Sequence, residues 1–181
     1  MIYVFLAKGF EEIEALTVVD FLRRAELEVF TVGIGSKIVT GSHNIPVFCD
    51  LDESEVSPID EIDAIVLPGG MPGTLNLESN KTVNDFIDFC SKNDKLICAI
   101  CAAPSILGHK GLLKGYTACC FPGFEEELEG ANISDDFVCV DRKIITAKGM
   151  GSAISFSQAI TRQLADDYTA ERIKASLQCP F

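Results

Sequence analysis

A chain of 181 residues, 48% of them hydrophobic, is long enough to bury one sizeable core and too apolar to be disordered. Its net charge of -12 argues against a nucleic-acid-binding patch or an anionic membrane partner, and its longest apolar stretch, 96–107, is too short to span a bilayer. No signal peptide is read at the start, where Glu11 and Glu12 follow the first apolar run almost at once. The expectation is one domain over 1–181, in the cytoplasm, without a membrane segment. In that compartment the eight cysteines should be thiols, and their positions show no paired zinc-ligand spacing.

Residues Ile2 to Ala7 are apolar throughout and predict a buried strand. A turn at Lys8-Gly9-Phe10 leads into a helix over about Glu11 to Ala25. On a helical wheel Glu14 falls among Val18, Phe21, Leu22 and Ala25, inside the apolar stripe, while Glu12 lies nearly opposite, beside Arg23. A carboxylate in that stripe finds a partner or has its pKa raised; otherwise it sits partly wet at the helix N-terminus. Glu28 to Ile34 predicts the second strand. Ile45 to Phe48 predicts a short edge strand after a turn at His43-Asn44, and Asp52 to Asp63 a loop with at most one helical turn.

Ala64 to Leu67 predicts another buried strand, closed by Pro68-Gly69-Gly70-Met71-Pro72-Gly73. That segment is either a plain loop or a place where backbone N–H groups approach a ligand at a strand's carboxyl end. A helix over Val83 to Lys92 follows. Then Leu96 to Ile100 reads as a buried strand that changes at Cys101 into small residues and a helix-like segment, Ala102 to His109, with Pro104 in its first turn. The frame Ala99-Ile100-Cys101-Ala102-Ala103 has the small neighbours that a nucleophile at a sharp strand-to-helix turn needs. Such a cysteine is either a core residue or a reactive one, and free N–H groups at the helix start would favour its thiolate.

Tyr116 to Cys120 predicts a short strand, Phe137 to Asp141 and Lys143 to Ala147 a hairpin about Asp141-Arg142. Ser152 is placed as N-cap of a helix reaching about Leu164, and Asp166 or Asp167 starts a last helix to about Leu177. Strands alternating with helices indicate a mostly parallel sheet covered on both faces. Residues 8–14, 68–73 and 101–103 then share the rim beyond the strands' carboxyl ends, where such folds bind ligands.

The segments Ala7-Lys8-Gly9-Phe10-Glu11-Glu12-Ile13-Glu14, Leu67-Pro68-Gly69-Gly70, Ala99-Ile100-Cys101-Ala102-Ala103-Pro104 and Ala147-Lys148-Gly149-Met150-Gly151-Ser152 together resemble the ThiJ/PfpI family, in its DJ-one branch, over essentially the whole chain. The resemblance implies a flavodoxin-like three-layer α/β/α sandwich, usually a homodimer, with a reactive elbow cysteine. Carried over by motif, Cys101 matches the nucleophile, Glu14 the acid hydrogen-bonded to it, and Gly70 and Ala102 the backbone N–H donors. Gly69, Cys120 and Phe121 fall at the site rim. The implied chemistry is a cofactor-independent, metal-free glyoxalase or deglycase. It acts on methylglyoxal, glyoxal or early glycation adducts through a Cys101 hemithioacetal, with Glu14 as proton shuttle.

The alternative is a redox sensor or oxidative-stress chaperone that uses an oxidisable Cys101. Lesser ones are a thiazole monophosphate biosynthesis role or an intracellular protease-like hydrolase. A flavodoxin-type electron carrier ranks last, because nothing resembles its phosphate loop. Several family members place a His before a proline after the elbow helix, whereas here Cys119-Cys120-Phe121-Pro122 has none. His109 lies on the elbow helix itself, about 12 Å along its axis from Cys101. Glu14 would therefore carry the proton transfers alone. The C-x-x-C spacing of Cys98 and Cys101 puts them on opposite faces of a strand, against a thioredoxin-type disulfide, and Cys120 would serve as a resolving thiol if it faced the rim.

Overall fold

The apolar runs Ile2–Leu6 (β1), Ala64–Leu67 (β6) and Leu96–Ile100 (β7) are strands buried on both faces, as their lack of a polar side requires. In the computed structural model, which describes residues 1–59 and 61–178, the other strands in chain order are β2 (Val29–Gly33), β3 (Ile38–Thr40), β4 (Pro46–Phe48), β5 (Leu51–Asp52), β8 (Thr117–Ala118), β9 (Asn132–Ile133), β10 (Val138–Asp141) and β11 (Ile144–Ala147). The helices are α1 (Glu12–Arg24), α2 (Gly73–Ser79), α3 (Lys81–Lys92), α4 (Pro104–His109), α5 (Ala153–Leu164) and α6 (Asp167–Ser176).

One seven-stranded sheet runs in the order β10-β11-β7-β6-β1-β2-β5. Each pairing is parallel except β10 with β11, the hairpin turned by Arg142. Side-chain alternation assigns the two faces. Ile2, Val4 and Leu6 join Cys98 and Ile100 against α1 and α5, whereas Tyr3, Phe5 and Ala7 join Ile97 and Ala99 against α2, α3 and α4. Phe86 of α3 stands edge-on to both Tyr3 and Phe5, with centroids 5.4 and 5.1 Å away. Burying each such ring contributes about 1.5–3 kcal/mol. The result is a three-layer α/β/α sandwich of flavodoxin-like type.

Local departures have local causes. The 45–48 segment is an edge strand of a separate ribbon with β3, not of the main sheet; a ribbon of two three-residue strands leaves little periodicity to read. The main sheet's edge is instead β5, only two residues long. Helix α2 begins within the Gly/Pro-rich turn, and α4 starts at Pro104 rather than Ala102. Of Tyr116 to Cys120, only Thr117 and Ala118 pair, with β9 outside the main sheet. Ser152 takes the N-cap position of α5 as expected, but its hydroxyl donates to the Gly149 carbonyl at 2.7 Å, within the 3-10 turn Met150–Ser152, and makes no side-chain cap bond. The 52–63 segment has its single turn at Glu53–Glu55, boxed by Asp52; Asp60 within it lies outside the described residues.

Candidate active site

Cys101 is the first residue past β7, and its φ of 65° lies in the left-handed region that a Cβ makes costly. Its N–H donates to the Ala147 carbonyl at the end of β11, and its carbonyl accepts the Phe121 N–H, both at 2.8 Å. Two neighbouring segments thus hold the strained residue in place. On the other side, a Cβ added at Gly69 would lie 2.5 Å from Cys101 Cβ and 2.7 Å from Glu14 Oε2. Only a residue without a side chain lets the 68–73 loop pass this close to both groups.

Glu14 reaches the elbow from α1. Glu11 caps that helix by accepting the Glu14 N–H at 2.7 Å, which fixes the first turn. The Glu14 carboxyl is 1% exposed, and its Oε2 accepts the Gly69 N–H at 2.9 Å. It is also hydrogen-bonded to the Met150 N–H and to the Cys101 thiol. Burial pushes its pKa up to about 7 although those bonds pull the other way. Burial and then the Glu14 charge push the Cys101 thiol up to about 12, against the N–H groups of Gly70 and Ala102, which favour the thiolate.

The resting pair therefore differs from the thiolate expected at a helix start. Burial first, and then the carboxylate beside the sulfur, outweigh the two N–H donors. The carboxyl loses its proton first, near neutrality, and the thiol keeps its own. Such a pair can hand one proton from sulfur to carboxylate when the sulfur attacks, with Gly70 and Ala102 N–H beside the reacting atom.

The family model described as the DJ-1/PfpI family matches residues 1–163. The chain belongs to that family. It is 31% identical to protein dj-1beta of Drosophila melanogaster over 177 residues, 96% of this chain and 94% of that protein. It is likewise 31% identical to the Parkinson disease protein 7 homolog of Danio rerio over 178 residues, 96% and 94% of the two chains. Among solved structures it is similar to oxidized Toxoplasma gondii DJ-1, with a TM-score of 0.94 and 34% identity over 99% of this chain and 98% of that one. A mutant of a DJ-1 superfamily protein from Salmonella typhimurium gives a TM-score of 0.93 at 34% identity, with the same coverage. These DJ-1 structures share the flavodoxin-like fold described above.

The other predicted positions are placed as follows. Gly69 is buried against Glu14 and Cys101, and Phe121 is 48% exposed beside them. Cys120 is not open to the rim: it is 3% exposed, in the cluster with Ala103 and Ile106, and burial pushes its thiol up to about 11. Cys98 and Cys101 both meet the cluster on the α1 and α5 side, because Cys101 has left the strand and its alternation. All seven described cysteines are free, and Cys101 alone among them is not buried; Cys179 lies outside the described residues.

Glu12 does not face solvent as its wheel position suggested. It is 5% exposed because the turn after β3 folds over it. The His43 N–H donates to Oε1 at 2.8 Å, His43 Nδ1 lies 3.0 Å from Oε2, and the Ser42 hydroxyl donates to Oε2 at 3.2 Å. Burial works to raise the Glu12 pKa, but these bonds prevail and hold it at about 2. His43 completes a close group with Glu11 and Glu12, in which both Glu12 oxygens accept the bonds just given and Glu11 Oε2 accepts the Glu14 N–H. His109 lies between Glu78 at 2.5 Å and Glu127 at 2.7 Å. Both histidines are thus engaged with carboxylates other than Glu14. Sequence reasoning missed the Met150 N–H on Glu14; its only signal was the Lys148-Gly149-Met150-Gly151 motif, without a hint of which atom it would bring.

Proposed function

We propose that this DJ-1/PfpI protein is a cysteine-dependent, cofactor-independent glyoxalase with deglycase capability, acting on methylglyoxal, glyoxal or early glycation adducts. The carrying observation is the buried carboxyl of Glu14, its pKa near 7, hydrogen-bonded to the Cys101 thiol. A general acid–base works best with a pKa near the operating pH.

In the first step the Cys101 sulfur bonds to the aldehyde carbon as its proton passes to Glu14, and Glu14 then gives that proton to the new hemithioacetal oxygen. The Gly70 and Ala102 N–H groups stabilise charge on that oxygen as it develops. Glu14, again a carboxylate, then removes the proton from the former aldehyde carbon and returns it to the adjacent carbon, while the proton of the hemithioacetal hydroxyl passes to the adjacent carbonyl oxygen. The ketone becomes an alcohol and the hemithioacetal carbon a thioester carbonyl. Water cleaves the thioester, giving a 2-hydroxy acid and restoring the thiol. The rearrangement is internally redox-neutral, and the only co-reactant is water.

The test is methylglyoxal consumption and lactate formation, without glutathione, by wild type and Cys101→Ser. The expected result is lactate in large molar excess over enzyme, abolished by the substitution. One equivalent consumed, or equal loss in both proteins, overturns the reading. That outcome would support the second reading, a redox sensor, which is favoured by Cys101 being the one described cysteine not buried. There a peroxide transfers oxygen to the sulfur, giving sulfenic and then sulfinic acid, with water released at each step.

We propose further that the protein is a homodimer. Ile13 and Ile45 are half exposed and, with Leu16 and Ile154, line a cavity of about 560 Å³ along α1. A second copy of that face would cover it. Light scattering should give twice the chain mass; a monomer at micromolar concentration would refute it.

A further inference from the structure

An apolar recess that the chemistry above does not use lies beside the Cys101–Glu14 pair, on the far side of Gly149. A cavity of about 240 Å³ is lined by Phe121, Pro122, Phe137, Met150, Lys148 and Gly149, with Gly151 and Ser152 closing its floor. Gly149 joins it to the reacting groups: a Cβ built there would lie 3.7 Å from Glu14 Oε1 and 3.3 Å from the Phe121 ring. One glycine thus has the carboxyl on one side and the aromatic wall on the other, and the next residue, Met150, both bonds Glu14 and lines the recess.

The aromatic walls are exposed yet fixed. Phe121 is 48% and Phe137 71% exposed, with Met150 at 56%. Phe121 is held by its N–H bond to the Cys101 carbonyl. Phe137 is held by its carbonyl, which accepts the Lys148 N–H at 3.0 Å, and by the Lys148 ammonium 5.5 Å from its ring centroid. That ammonium donates in turn to the Asp135 carbonyl at 2.7 Å, so Lys148 is spent on the wall. Anchored backbones on both sides of an open apolar space lower the ordering cost of binding there.

We propose that this recess is the subsite for the substrate's side group, so that the preferred substrate is a 2-oxoaldehyde bearing a large apolar, above all aryl, group rather than methylglyoxal or glyoxal. The inference rests on the glyoxalase reading and deepens it. Size supports it, since a methyl group would leave most of this open recess empty, whereas a phenyl ring would cover the exposed faces of Phe121 and Phe137.

The first arm compares phenylglyoxal with methylglyoxal, using wild type, Phe137→Ser and Phe137→Leu. The expected kcat/KM ratio in wild type is on the order of tenfold in favour of phenylglyoxal. It should fall toward one in Phe137→Ser and recover in Phe137→Leu. The second arm needs no turnover: calorimetric titration of Cys101→Ser with mandelate and with lactate, the corresponding products. Mandelate should bind on the order of tenfold more tightly, and Phe137→Ser added to that protein should remove the difference. If neither aldehyde is turned over but mandelate keeps this advantage, the subsite stands and the glyoxalase reading falls. A wild-type ratio at or below one, or no difference between the two acids, overturns the proposal. Loss of dimer in Phe137→Ser with no mandelate advantage would assign the recess to a second copy and overturn it equally.

Discussion

Replacing Glu14 by Gln keeps the shape of the side chain and an oxygen for the Gly69 N–H, but removes the titration. In the folded protein burial raises this carboxyl from its ordinary 4.5 to about 7. A raised value means that the folded state holds the proton more tightly than the unfolded one. Its contribution to stability is therefore complete below pH 4.5 and is lost as pH rises through about 7. At about 1.4 kcal/mol per pH unit, that gap corresponds to about 3 kcal/mol.

Other groups leave this window clear or cancel. Glu12, held at about 2, acts below it, and Cys101, pushed from 9.0 to about 12, acts above it. The raised values of His43 and His109 act equally in both proteins, since neither ring contacts Glu14. Urea melts of wild type and Glu14→Gln from pH 4 to pH 8.5 should show wild type losing about 3 kcal/mol relative to the variant as pH rises. A difference that stays flat within about 0.5 kcal/mol, or changes in the opposite sense, would refute the claim that a buried, proton-holding carboxyl lies beside Cys101.

Two further outcomes follow from close contacts elsewhere. Gly69→Ala would press a methyl group between Cys101 and Glu14, at 2.5 and 2.7 Å; thermal melts and dicarbonyl assays should show about 1–3 kcal/mol of destabilisation with loss of activity, and an unchanged melt with full activity would contradict the packing. His109 offers both ring nitrogens to carboxylates, which needs both N–H groups and hence the imidazolium. Its raised pKa makes this link complete below pH 6.5 and lost at higher pH. His109→Gln should thus cost about 1 kcal/mol or less at pH 5.5 and nothing at pH 9, and a nuclear magnetic resonance titration placing the wild-type ring at or below 6.5 would rule it out.

The sheet was legible where strand sequences are continuously apolar. Residues 64–67 lie where expected, and β1 and β2 differ only at their ends. The elbow was legible as well, because the sequence changes character at Cys101 and α4 carries Pro104 in its first turn. Glu14 fell on the buried face because α1 is regular from its first residue. Glu12 did not read correctly, since a helical wheel knows nothing of the turn at 41–44 that lies over that face. Local sequence shows the N–H donors that favour the Cys101 thiolate, but neither the burial nor the carboxylate arriving from 87 residues earlier that outweigh them. Cys119 and Cys120 follow a strand of only two residues, too short for its alternation to show that both thiols are buried.

The distribution of thiols turns the chain into a set of timers for its own opening. Cys49, Cys90, Cys98, Cys119, Cys120 and Cys139 are all buried, spread from the edge ribbon through α3 and the central strand to the hairpin side of the sheet. A small alkylating reagent, Cys179 set aside, meets Cys101 first and each of the others only when its own layer parts. The order and rates at which successive adducts accumulate would rank those layers by their opening free energy, with no label added and no residue changed.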